Sequence, residues 1–121
     1  MKIIRIEQVD KEPATHPIFT AGPVTLQPIV TQQMGEYLTM NVVNFSKGAR
    51  NKLHTHTTDQ VLIVTAGTGI VATDKEEVIV GVGDIIHFPA GEKHWHGATK
   101  DSEFSHIYIV SAENETTELE D

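Results

Sequence analysis

With 121 residues, 39% of them apolar, 21% charged and none of them cysteine, the chain has the makings of one globular domain without disulfides, a thiolate nucleophile or cysteine-held zinc. No apolar run approaches the ~20 residues that span a bilayer, and the start Met1-Lys2-Ile3-Ile4-Arg5 lacks the build of a signal peptide. A net charge of −8 argues against nucleic acid, so the expectation is a cytoplasmic protein with neither membrane nor nucleic acid as partner.

Glycine and proline recur at short intervals, and the runs between them are rich in Val, Ile, Thr and aromatic residues. That texture predicts an all-β sandwich or barrel. In chain order, strands are expected at Ile3–Glu7, Val24–Ile29, Tyr37–Phe45, Leu53–His56, Gln60–Thr65, Gly69–Thr73, Glu77–Val80, Asp84–Phe88, His94–Ala98 and Phe104–Val110. The third alternates well, with Tyr37, Thr39, Asn41, Val43 and Phe45 on one face and Leu38, Met40, Val42 and Asn44 on the other. Both faces carry apolar residues, which suits a strand with a pocket on one side and a second sheet or partner chain on the other. Residues 113–121 hold five acids and no base, against 12 acids and 9 bases in the rest. They read as a solvated, frayed tail after a domain spanning 1–112, with at most a short turn over Glu113–Leu119.

Five of the seven histidines fall at His54, His56, His94, His96 and His106. His54 and His56 are two apart, and on a strand that spacing points both rings to one face, half of a metal site. Gln60 follows across a Thr57–Asp59 turn, and a closed barrel can bring His94 opposite.

The frame around these residues is more specific than the pair. Gly48, five residues, His54-Thr55-His56, three residues, Gln60, six residues and Gly67 make one block. Gly83, five residues, Pro89-Ala90-Gly91, two residues and His94 make a second. The two blocks resemble the paired motif of the cupin superfamily, and the likeness runs from about Val43 to Val110. It implies a double-stranded β-helix, or jelly-roll, of two antiparallel sheets, with one divalent transition metal held by His54, His56, Gln60 and His94. The family's glutamate is Gln60 here, and its closing asparagine is Ala98. Four neutral donors leave a divalent ion its full +2 charge, which favours Lewis-acid chemistry over dioxygen chemistry.

His54-Thr55-His56, Gln60 to Gly67 and Gly91 to Ala98 further resemble the small manganese-dependent cupin hydroxynitrile lyases. That likeness favours Mn, with Fe, Ni or Zn as alternatives, and implies His106 as catalytic base. By the same matching, two lining positions of those lyases fall on Asn51 and Val110, whose residue types differ. Asn41, Val43 and His96 complete the expected substrate pocket. His96 reads either as a group that orients a ligand or as a residue packed at the rim. His87 reads as a core or interface residue, and His16 has no assigned role. The function this implies is a metal-dependent lyase or isomerase on a small hydroxyl or carbonyl compound. A cupin dioxygenase or a non-catalytic small-molecule binding module are the alternatives. Small cupins commonly pair by sheet extension, and the apolar Met1–Glu7 segment suggests a homodimer of that kind.

Overall fold

The alternating Val, Ile and Thr runs are realised as twelve strands in the computed structural model, which describes residues 1–120. The element that organises them is β7, Gln60–Thr73. Its first half pairs with β11 (Phe104–Ser111) and β9 (Ile85–Phe88), and its second half with β10 (His94–Ala98) and β8 (Glu77–Gly81). From β11 one sheet runs on through β4 (Leu38–Phe45) and β3 (Val24–Val30) to β1 (Glu12–Pro13). From β10 the other continues to β5 (Arg50–Asn51) and β2 (Phe19–Thr20), and separately to β6 (His54–His56) and β12 (Thr116–Glu118). All pairings are antiparallel, and the sheet curls on itself as the expected all-β jelly-roll.

Two predicted strands, Gln60–Thr65 and Gly69–Thr73, are therefore one strand. The Gly-x-Gly between them is a bend, not a break: Gly67 has φ +71° and the β11 register shifts beside it, between Ser105 and His106. A side chain at Gly67 would strike the Glu103 carbonyl.

Between the sheets lies a core of Val43, Phe45, Leu62, Val64 and Phe104, with the Phe45 and Phe104 rings stacked 6.0 Å apart. The extra residue at the Ser105/His106 register shift, Thr65, lies on β7, so β11 keeps its alternation and Phe104 and His106 both point inward, each wholly buried.

The ends of the chain depart from expectation. Ile3–Glu7 is not a strand. Ile6–Gln8 forms a single 3₁₀ turn, held by the Gln27 amide, whose Nε2 donates to the Ile6 and Val9 carbonyls at 3.0 Å each. Nor does segment 113–120 fray, since Thr116–Glu118 pairs with His54–His56 along its full length. Its acids meet the cations of the first motif: Lys52 with Glu118 at 2.9 Å and Arg50 with Glu120 at 2.6 Å. Residue 121, the last of the expected tail, lies outside the described residues. His87 is exposed and paired with Asp59 rather than buried. Among the described residues no helix is long and apolar enough to cross a membrane.

Candidate metal centre

His54 and His56 stand on β6 with Thr55 facing the other way, and β10 brings His94 directly across from His54. The three rings converge, with centroids 4.4 to 5.2 Å apart. Each offers one nitrogen to a common point, these atoms lying within 4.8 Å of one another, so the three could hold a metal ion. Phe88 of β9 lies flat against His94 at 3.8 Å and holds that ring in place.

The hydrogen bonds behind the rings decide which nitrogen faces inward. His54 Nδ1 donates to the Lys52 carbonyl and His94 Nδ1 to the Glu92 carbonyl, the latter at 2.9 Å. Both Nε2 atoms are therefore bare lone pairs. His56 Nδ1 lies 2.9 Å from the Thr116 hydroxyl, while its Nε2 is buried with no partner. Burial, and then the neighbouring His54 ring, push His56 down to about 4 and His94 down to about 3. The cluster is neutral near pH 7, the state in which imidazole binds metal.

Gln60 opens β7 beside this cluster, and its Oε1 lies 3.2 Å from His94 Nε2. As oriented, that contact sets an acceptor against an acceptor, which a cation between them would resolve. An unpartnered buried nitrogen, two lone pairs opposed at short range and three neutral imidazoles fit what a divalent ion requires of its donors.

A cavity of about 230 Å³ opens in front of the cluster. Its lining is polar at His54, His56, Gln60, His96 and Asn51, and apolar at Phe19, Leu26, Val43 and Val110, with Tyr108 beside them. Of the predicted pocket residues, Val43, Asn51, His96 and Val110 line it. Asn41 does not; it sits behind Tyr108 and donates to that hydroxyl at 2.8 Å.

The expectation for His106 is also amended. Its ring points inward, but His96 stands between it and the cavity, with His106 Nε2 3.1 Å from His96 Nδ1. The period of two that placed His106 on the inner face carries no information on depth. Asn51 fixes His96 from the other side: its Oδ1 accepts from the His96 backbone N–H at 2.8 Å, which turns its Nδ2 toward the ring, 3.2 Å from Nε2. Burial and the neighbouring His106 push His96 well below the usual range, and burial pushes His106 down to about 3.

Sequence reasoning missed His16, Asn114 and Thr116, all at the cavity. The one signal for the last two was acidic residues 113–120 set against the cationic Arg50 and Lys52.

The family profile described as Cupin domain matches residues 41–110. An (R)-mandelonitrile lyase of Granulicella tundricola is 37% identical over 89 residues, which cover 73% of this chain and 68% of that protein. An acireductone dioxygenase of Trichormus variabilis is 32% identical over 95 residues, and there the match spans only 52% of the relative. Among solved structures, a cupin-like protein of Thermotoga maritima superposes with a TM-score of 0.82 at 32% identity, over 88% of this chain and 83% of that one.

Proposed function

The chain belongs to the cupin family, and from that starting point we propose that it is a metal-dependent lyase or isomerase acting on a small hydroxyl- or carbonyl-bearing compound. The observation that carries this reading is the donor set: three buried imidazoles and an amide, with no carboxylate among them. A divalent ion held by His54, His56, Gln60 and His94 would keep its whole +2 charge and supply Lewis-acid polarisation of an oxygen. Similarity to the mandelonitrile lyase supports the lyase class. Manganese is the ion that the resemblance to the small cupin hydroxynitrile lyases implies, although affinity alone favours later metals such as Ni or Zn.

The chain's own residues then divide the work. The apolar lining residues Phe19, Leu26, Val43 and Val110 bind the apolar part of a compact substrate and exclude water. His96 faces the cavity and takes the proton at Nε2. His106 Nε2 lies against His96 Nδ1, and the Asn51 amide nitrogen, 3.2 Å from His96 Nε2, sets the orientation of the ring and gives way when Nε2 acts as base.

The test is cyanohydrin cleavage by Mn-loaded protein. His96→Ala should cost on the order of 10²–10⁴-fold in kcat with metal content intact. Gln60→Glu should keep fold and metal yet slow the reaction, because an added negative charge weakens the Lewis acid. A faster Gln60→Glu enzyme refutes the charge argument. The acireductone dioxygenase similarity favours a second reading, in which oxygen is consumed with an enediol substrate. Oxygen uptake without cyanohydrin turnover would select it.

We also propose a homodimer. Its support is an exposed apolar surface at Ile79, Val82 and Ile85, each more than 60% accessible.

A further inference from the structure

We propose that segment 113–120 is a strap that completes the metal centre, with Thr116 and Asn114 as positioning residues for His56. The inference rests on the reading of His54, His56, Gln60 and His94 as metal donors.

His54 and His94 are each oriented by a main-chain carbonyl within two residues of the ring. His56 has no such local partner. Its Nδ1 is met by Thr116 Oγ1 at 2.9 Å, from a residue 60 positions away. The choice of tautomer follows from what lies around the ring. With the proton on Nε2, that N–H would be buried with no acceptor, since Nε2 has no partner. With the proton on Nδ1, it is donated to Thr116, and Nε2 is left as a lone pair facing His54 and His94. Asn114 reinforces that state. Its Oδ1 accepts from the Thr58 hydroxyl at 3.1 Å, which brings its Nδ2 to 3.3 Å from Thr116 Oγ1 and 3.2 Å from His56 Nδ1. With the proton on His56 Nδ1, Nδ2 donates to Thr116 Oγ1. Thr116 Oγ1 is thus set as an acceptor for His56. Hydrogen-bond partners of this kind, behind a ligating imidazole, fix its orientation and raise its basicity.

The strap is fastened at both ends of its contact with β6. At the 114–116 end, Thr57 N–H donates to the Glu115 carbonyl and Glu115 N–H to Thr57 Oγ1, at 3.0 and 2.9 Å. At the other, Glu120 accepts from both the Leu53 N–H and Arg50 at 2.6 Å, and Glu118 from Lys52 at 2.9 Å. Arg50 also lies over the Trp95 ring, between His94 and His96, at 4.0 Å. The ion pairs therefore hold the strap to the strands that carry His54, His56 and His94.

The experiment measures Zn²⁺ affinity of the full chain by competition with a chromophoric chelator. Thr116→Val should weaken Zn²⁺ binding by about 10–100-fold, the usual loss for removing such a partner, and Thr116→Ser should restore it. Asn114→Ala should weaken binding in the same direction. Glu118→Gln combined with Glu120→Gln should do so too, and at low salt more than at high salt. Thr117→Val, on the opposite face of the same strand, should leave affinity unchanged. Valine suits a strand, and the Tm of each metal-free variant checks that the fold persists. If the wild-type protein binds Zn²⁺ and Thr116→Val binds it equally well, the strap inference is overturned. A wild-type protein that binds no divalent ion overturns the metal reading itself.

Discussion

His106 gives the fold an acid sensitivity that a single substitution should remove. The ring is wholly buried, and burial pushes it down to about 3 from an ordinary value near 6.5. Above pH 6.5 neither the folded nor the unfolded chain carries this proton, and stability does not depend on it. Below 6.5 the unfolded chain takes the proton and the folded one does not, so stability falls as pH falls, until the native ring also charges near 3. Each pH unit in that window is worth ~1.36 kcal/mol, so moving from about pH 7 to about pH 4.5 costs ~2.7 kcal/mol at this one site. That is a large share of the ~5–15 kcal/mol that stabilises a typical domain. His106→Gln keeps a polar partner for His96 and cannot titrate. Urea unfolding of the metal-free protein, followed by Trp95 fluorescence at the two pH values, should show the variant losing roughly 2–3 kcal/mol less than wild type on acidification. An equal loss in both proteins would mean that His106 is not neutral by burial, and the reasoning fails.

Phe88→Ala removes a buried ring that lies flat on His94 and should cost about 3–5 kcal/mol in urea unfolding, with weaker metal binding as a second readout. Gly67→Ala forces an alanine to φ +71° against the Glu103 carbonyl; it should destabilise by more than ~1 kcal/mol, read as a lower Cm with unchanged m. Chelating the ion from a protein held at 100 times its Kd should lower stability by ~2.7 kcal/mol, seen as a drop in Tm that added metal reverses. Light scattering at micromolar protein should give the mass of a dimer, and Ile79→Asp with Ile85→Asp should halve it.

The parts of the site legible in the sequence were those set by local geometry. His54 and His56 share a face because strand residues two apart do, and the spacing of Gly48, Gly67, Pro89 and Gly91 carried the cupin resemblance that implied His94 opposite them. What stayed hidden depended on depth or on distant pairing. Alternation placed His106 inward but could not tell that His96 would stand in front of it. Asn41 lies in phase with Val43, yet Tyr108 screens it from the cavity. Residues 113–120 read as solvated because their charge balance is acidic, while the cations that neutralise them, Arg50 and Lys52, lie some seventy positions earlier. Gly67 reads as a turn in any local window, and only the four neighbours of β7 make it a bend within one strand.

The long-range pairing of β6 sets the order in which this protein can assemble. His54 meets His94 across forty positions, and His56 meets Thr116 across sixty. Closing such loops costs entropy before any contact rewards it, and chains dominated by such pairings fold slowly, in milliseconds to seconds. The hairpins formed by β7 with β8 and by β3 with β4 are local and can form early. The three imidazoles converge only once β10 has docked, and β12 pairs with β6 still later along the chain. Gain of a high-affinity ion would thus coincide with the last steps of folding, and its time course in a refolding experiment would be a clock for completion of the native state.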